Sequence, residues 1–242
     1  MGIIKKIFSE AVFASLILWN KKMIKLCIFD LDGTLLDTVK TIAYYGNYAL
    51  EKNGLPTAPI KEYNYFAGCG IKNLIINMLK YSNSYTESNY EKVYNDYSTK
   101  YDNDVVGITT IFDGLKEVLD SLKSRGIILT VISNKPDFAT KKVIETLYGK
   151  DYFNFVSGQK DGVPLKPNPT SVLSLIDDLN VSKEECVYIG DTMIDMQTAN
   201  NANIKSIGVT WGFRDEKELN DNGATYIVNT PQELFDLIVN IK

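Results

Sequence analysis

From residue 25 onward, short apolar runs of strand length alternate with amphipathic stretches of helix length, and this alternation constrains the fold more than any other feature of the chain. Runs rich in Val, Ile, Phe or Tyr lie at 25–29, 127–132, 153–156, 186–189, 205–209 and 225–228. Between them fall helix-period segments at 114–123, 137–148, 170–179, 195–201 and 231–241, the last with Pro231 just inside its start. Strands joined through helices form right-handed crossovers, so the pattern predicts a Rossmann-like, doubly wound α/β core around a parallel sheet.

One interval breaks the rhythm. Between about residues 39 and 105 the periodicity is helical, with segments at 38–52, 71–81 and 87–101 separated by Asn53-Gly54-Leu55-Pro56 and by a Ser/Asn-rich turn at 82–84. This reads as a small helical insert directly after the first strand. The expected division is a core of 23–37 and 106–242 and an insert of 38–105. The many tyrosines of the insert suit either helix packing or the wall of a cleft.

Ahead of the core, Lys5 and Lys6 precede an apolar run at 11–19 that faintly resembles the start of a secretion signal. The run is shorter than the ~20 residues that span a bilayer. It ends in Trp19-Asn20-Lys21-Lys22 rather than in small residues. Residues 1–22 are therefore read as an N-terminal extension, an added amphipathic helix or a segment ahead of a start at Met23, and no stable membrane anchor is expected.

Composition excludes several functions. With 45% hydrophobic and 23% charged residues, the 242-residue chain is globular rather than disordered. Its 26 basic and 30 acidic residues are mixed along the chain and sum to −4, which leaves no basic stripe for a nucleic-acid backbone. Histidine is absent, so Ser-His-Asp, Cys-His and His-metal schemes are closed, and acid–base chemistry falls to carboxylates, lysine, tyrosine or cysteine. The three cysteines, Cys27, Cys69 and Cys186, are widely spaced, which suggests neither a disulfide framework nor a zinc site and fits a reducing cytoplasm.

The first apolar run ends in Asp30-Leu31-Asp32-Gly33-Thr34. In an extended segment residues i and i+2 point the same way, so both carboxylates can meet at the C-terminal edge of the sheet, where open α/β folds bind ligands. Gly33 allows a sharp turn whose amides can receive phosphate oxygens, although an Asp-rich turn with satisfied acids has the same pattern. A second acidic group, Asp191 with Asp195, follows the run at 186–189. Four converging acids repel one another unless a hard divalent cation sits among them, and magnesium suits such oxygen ligands. Ser133-Asn134 follows the run at 127–132 and offers a hydroxyl and an amide to a phosphoryl group, or serves as a plain helix entry. Lys166, in Pro164-Leu165-Lys166-Pro167-Asn168-Pro169, supplies a fixed cation or a solvated loop lysine.

Taken in order, these pieces resemble the haloacid dehalogenase superfamily, most closely its phosphoglycolate phosphatase-like branch. The resemblance runs from about residue 25 to the C-terminus. It rests on Asp30-Leu31-Asp32-Gly33-Thr34-Leu35-Leu36-Asp37, Ser133-Asn134-Lys135, Lys166-Pro167, and Gly190-Asp191-Thr192 with Asp195. Gly208-Val209-Thr210-Trp211-Gly212, Gly223-Ala224 and Gly68-Cys69-Gly70-Ile71-Lys72 are similar to the branch. It implies that the insert is a cap and that Asp30 attacks phosphorus to give an aspartyl phosphate. It further implies that Asp32 acts as acid and then base while its carbonyl ligates Mg2+, that Asp30 and Asp191 bind the metal directly, and that Asp195 ligates or anchors. Ser133 and Lys166 would hold phosphoryl oxygens, with Gly33, Thr34 and Asn134 also at the substrate. Lys72 stands where relatives often carry arginine, and would contact a substrate carboxylate or remain a solvated helix-start lysine.

The implied activity is magnesium-dependent hydrolysis of a small phosphorylated metabolite, with 2-phosphoglycolate as the branch's substrate, by a cytoplasmic monomer or homodimer. A β-phosphoglucomutase-like phosphotransferase would also load Asp30, and a phosphonatase would use a cap lysine such as Lys72. A carbon–halogen hydrolase fits less well because Asp32 and Asp191 are present. A phospho-accepting regulatory protein without turnover would share the aspartates, hydroxyl and lysine, but would have no use for the cap or Asp32.

Overall fold

A computed structural model describes residues 23–241. The expectations about residues 1–22 lie outside the described residues. Six parallel strands form one sheet in the order β5-β4-β1-β6-β7-β8. They are β1 (Leu26–Phe29), β4 (Ile128–Pro136), β5 (Phe155–Gln159), β6 (Cys186–Gly190), β7 (Lys205–Val209) and β8 (Tyr226–Val228). β1 is central, pairing with β4 on one side and β6 on the other.

Alternation in β1 explains the two-sided burial of the sheet. Cys27 and Phe29 enter one apolar cluster with Leu119 and Leu122 of α5 (Leu115–Ser124), Val143 of α6 (Asp137–Tyr148) and Leu234 of α10 (Pro231–Asn240). Leu26 and Ile28 enter the opposite cluster with Val172 and Leu175 of α7 (Thr170–Asp178) and Ala199 of α8 (Met193–Ala202). With both faces covered, the strands read as near-continuous hydrophobic runs, which is why they were visible in the sequence.

The insert contains four helices rather than three: α1 (Val39–Lys52), α2 (Ile60–Phe66), α3 (Gly70–Tyr81) and α4 (Glu87–Asn103). Its own apolar cluster includes Tyr45, Tyr63, Ile75, Met78 and Val93, and reaches the core through Ala139 and Phe213. The short α2 was not expected, because its seven residues span too little chain to display a helical period. The six-residue α9 (Glu216–Asp221) escaped for the same reason.

The chain enters and leaves the cap through a two-stranded antiparallel ribbon, β2 (Leu36–Asp37) with β3 (Thr110–Ile111). Just beyond it, the hydroxyls of Thr41 and Thr109 lie 2.9 Å apart, and the Thr41 hydroxyl accepts from the Ile108 amide. Two-residue strands carry no sequence signal of their own, and the tertiary pairing alone defines this ribbon. Among the described residues, no helix is long and apolar enough to cross a membrane.

Candidate active site

The strand order reverses at β1: the chain moves to β4 and β5 on one side and then crosses to β6, β7 and β8 on the other. Ligands of open α/β sheets bind at such a switch, outside the carboxyl ends of the strands. Asp30 follows β1, Ser133 to Lys135 end β4, and Asp191 follows β6. The structure thus draws together groups that are more than a hundred residues apart in sequence.

Asp30, Asp191 and Asp195 each place one carboxylate oxygen within 4.8 Å of the others, and all three are buried. Lys166 answers part of this charge. Its Nζ lies 2.8 Å from Asp30 Oδ1 and 2.7 Å from Asp195 Oδ1. It also donates to the Tyr188 hydroxyl at 3.0 Å, which in turn donates to the Ile132 carbonyl. Asp195 Oδ2 accepts from the amide and hydroxyl of Thr192 at the start of α8. With both oxygens engaged, Asp195 serves as an anchor for Lys166 and the helix start. Asp191 is fixed by Thr34 Oγ1 at 2.8 Å and by the Phe213 amide at 2.8 Å. The Thr34 side chain therefore orients Asp191, a different task from the substrate contact expected of it.

Glycine is required where the backbone approaches these acids. Gly33 has φ +85°, and a Cβ there would overlap the Asp191 carboxylate. The turn that follows β1 is consequently packed against the second acidic motif.

Burial sets the electrostatics. Desolvation, with the charge of Asp195 beside it, pushes the Asp30 carboxyl up to about 7 against the pull of Lys166. Asp191 is raised well above the usual carboxylate range by burial and by Asp195 and Asp30. Burial disfavours the Lys166 ammonium, but Asp195 and Asp30 outweigh it and hold the group charged. Three buried carboxylates that bring an oxygen each to within 4.8 Å of the others present hard donors around one point and fit a magnesium ion.

Asp32 faces a different partner. Its carboxylate accepts from Lys135 Nζ at 2.9 and 3.2 Å. The Lys135 side chain is only 7% exposed, and its ammonium lies 5.2 Å from the Tyr101 ring centroid. Sequence reasoning gave Lys135 no role, although it sits inside Ser133-Asn134-Lys135. Strict alternation would aim residue 134 away from 133 and 135, but the β4–β5 register shifts between Ile132 and Pro136. All three residues consequently line the same cavity.

Asn134 holds two loops at once. Its amide donates to the Gly68 carbonyl of the cap and to the Lys166 carbonyl, and its Oδ1 accepts from the Lys166 amide. The Ser133 hydroxyl is turned to accept from the Lys135 amide at 3.2 Å. A cavity of about 290 Å³ lies between this edge and the cap, with Asp30, Asp32 and Ser133 on its floor. The cap segment after the second helix contributes Gly68, Gly70 and Ile71 to the wall. Lys72 is exposed at the first turn of α3 and is absent from the lining, so the structure does not bring it to the other site residues.

A doubly wound α/β core with an acidic, lysine-neutralised switch point and a helical cap over it defines a capped hydrolase of the haloacid dehalogenase-like class. The chain matches the haloacid dehalogenase-like hydrolase family over residues 27–209, and it belongs to that family. It is 30% identical over 216 residues to the phosphoglycolate phosphatase of Aquifex aeolicus, covering 89% of this chain and 97% of that one. The phosphoglycolate phosphatase of Chromobacterium violaceum is 29% identical over 224 residues, covering 91% and 99%. Among solved structures, a Lactobacillus delbrueckii subsp. bulgaricus protein assigned as a phosphoglycolate phosphatase superposes with a TM-score of 0.86 at 31% identity, covering 90% of this chain and 99% of that chain.

Proposed function

We propose that this hydrolase is a magnesium-dependent phosphatase that cleaves a small phosphate monoester through an aspartyl phosphate on Asp30. The observation that carries the reading is the buried group of Asp30, Asp191 and Asp195, with the Lys166 ammonium on Asp30 and Asp195, of which Asp30 reaches a cavity that Asp32 also lines. The names of the relatives support a phosphorylated small metabolite as partner, and 2-phosphoglycolate is the substrate those names suggest.

In this reading an Asp30 carboxylate oxygen forms a bond to phosphorus in line with the ester oxygen. The P–O bond to the leaving alcohol breaks, its electron pair stays on that oxygen, and Asp32 in its acid form supplies the proton. Asp32, now a carboxylate, takes a proton from water, the water oxygen bonds to phosphorus, and the acyl-phosphate P–O bond breaks to restore Asp30. Splitting hydrolysis into two displacements lets one carboxyl serve as acid and then base. Lys166 offsets the charge of Asp30 and of the incoming phosphoryl group, with Tyr188 and Asp195 fixing its position. Ser133 holds a phosphoryl oxygen, Asn134, whose amide is engaged by Gly68 and Lys166, fixes the Lys166 loop instead of the substrate contact expected of it, and Lys135 orients Asp32 until the ester binds. Magnesium, held by Asp30, Asp191 and the Asp32 main-chain carbonyl, would neutralise charge on the phosphoryl oxygens. The docked cap excludes bulk water from the acyl phosphate.

The test is steady release of inorganic phosphate from a panel of phosphorylated metabolites, with and without added magnesium. Magnesium-dependent release without any bisphosphate requirement is expected. Turnover only with a bisphosphate activator would make the protein a phosphotransferase. An acyl phosphate that persisted for hours in the intact protein would make it a phospho-accepting regulator.

A further inference from the structure

The leaving alcohol must lie against the cap side of the cavity, so the residues there report on what that alcohol is. On α4, Tyr94, Tyr97, Ser98 and Tyr101 line the cavity at spacings of three and four residues, which is one face of a helix. Ile71 and Leu74 of α3 and Ile42 of α1 complete an apolar roof, and the half-exposed Phe138 of α6 stands opposite at the core side. Tyr97 and Tyr101 stack with ring centroids 5.6 Å apart and planes at 14°. No lysine or arginine of the cap lines the cavity among the described residues. Among the described residues the one lining cation, Lys135, belongs to the core and is spent on Asp32. The acid Asp102 lines the same wall.

A carboxylate pressed against such a roof would lose its water without gaining a counter-charge, and would lie on the side of another acid. An aromatic or aliphatic group would instead replace water against tyrosine rings and branched side chains. The roof also holds polar atoms in wait. Ser98 Oγ is buried without a hydrogen-bond partner, and the Tyr101 hydroxyl, beside the Lys135 ammonium, makes no well-formed bond. Both residues line the cavity, and a buried hydroxyl without a partner is satisfied by a ligand that brings its own polar atom.

We infer that the substrate's leaving alcohol is uncharged, with an aromatic or apolar face and one hydrogen-bonding group for Ser98, in place of the carboxylate of phosphoglycolate. This inference rests on the phosphatase reading above, which fixes where the ester oxygen lies. The rival cation is Arg214, whose Nη1 is buried without a partner while Nε binds Glu218 and the guanidinium stacks over Tyr65 of the cap. Arg214 does not line the cavity.

The test compares benzyl phosphate, 3-hydroxybenzyl phosphate and 2-phosphoglycolate, all esters of unactivated primary alcohols, on the full-length enzyme with magnesium. Benzyl phosphate is expected to exceed phosphoglycolate by about tenfold or more in kcat/KM, carried mainly by KM. The ring hydroxyl is expected to add a few-fold that Ser98→Ala removes. Ile71→Arg, which puts a cation on the roof, should shift the preference toward phosphoglycolate. Calorimetric binding of the same three esters to Asp30→Asn reads the selectivity without turnover. If no ester is hydrolysed, the phosphatase reading fails, while the binding order still decides this inference. Phosphoglycolate bound and cleaved as well as or better than benzyl phosphate overturns it. Loss of that preference in Arg214→Met would then assign the carboxylate to the buried guanidinium.

Discussion

Asp30 on the floor of the cavity belongs to a buried group with Asp191, Asp195 and Lys166, bound through short polar contacts to one another or to Thr34, Thr192, Tyr188 and the Phe213 amide. The roof across the cavity is made of Ile71, Leu74, Tyr94 and Tyr97, which belong to or pack against the cap's own apolar cluster. Polar networks specify geometry because each orphaned group is costly, whereas apolar walls specify shape and tolerate exchange. A site built in this way separates chemistry from selection: the floor is intolerant of change, and the roof is where a different ester can be accommodated.

That contrast can be broken most severely at Asp30. Asp30→Asn should lower turnover by about 10³-fold or more while circular dichroism and the thermal midpoint stay near those of the parent, because the proposed nucleophile goes and its shape remains. Near-parental activity would remove Asp30 from its role. Next in size, Asp191→Ala should cost about 10²-fold in rate and abolish the response to magnesium, since the proposed metal site loses a ligand oxygen. A titration curve for magnesium identical to the parent's would contradict the assignment.

Lys135 lies where floor and roof meet, between Asp32 and the Tyr101 ring. Lys135→Met should lower stability by about 3 kcal/mol in urea unfolding, because a largely buried carboxylate loses its partner. An unchanged midpoint would reduce the pair to a surface contact. Thr34→Val deletes one of the two donors that fix Asp191 and should raise the magnesium concentration needed for half-maximal activity about tenfold, with the roof's selectivity unmoved.

The smallest effect tests the electrostatics. The folded-state pKa values of Asp30 and Asp191 are raised above the unfolded value of 3.8, so the folded protein binds more protons than the unfolded chain as pH rises. Their contribution to stability is full below the unfolded value and is lost as pH rises through the raised ones, about 7 for Asp30. The gain in thermal midpoint from magnesium should therefore be larger at pH 8 than at pH 5, by a few degrees at about 2–4 °C per kcal/mol. An equal gain at both pH values would show that the metal does not draw on these acids.

The parallel core was legible from residue order alone, because strands buried on both faces must be apolar along their whole length and stand out against amphipathic helices. Residue order also showed the acidic group: the i, i+2 spacing of Asp30 and Asp32 and the strand-end position of Asp191 are local facts. Tertiary structure decided the rest. The shifted register of β4 turned Lys135 into the cavity beside Asp32, the Thr34 hydroxyl found Asp191 157 positions away, and Asp195 was taken up by Thr192 and Lys166. Packing also decided that Tyr94, Tyr97 and Tyr101 of α4 line the cavity while Lys72 is exposed. Which side chains share a cavity depends on how helices seat on a sheet, and that is settled by contacts between distant segments rather than by any local pattern.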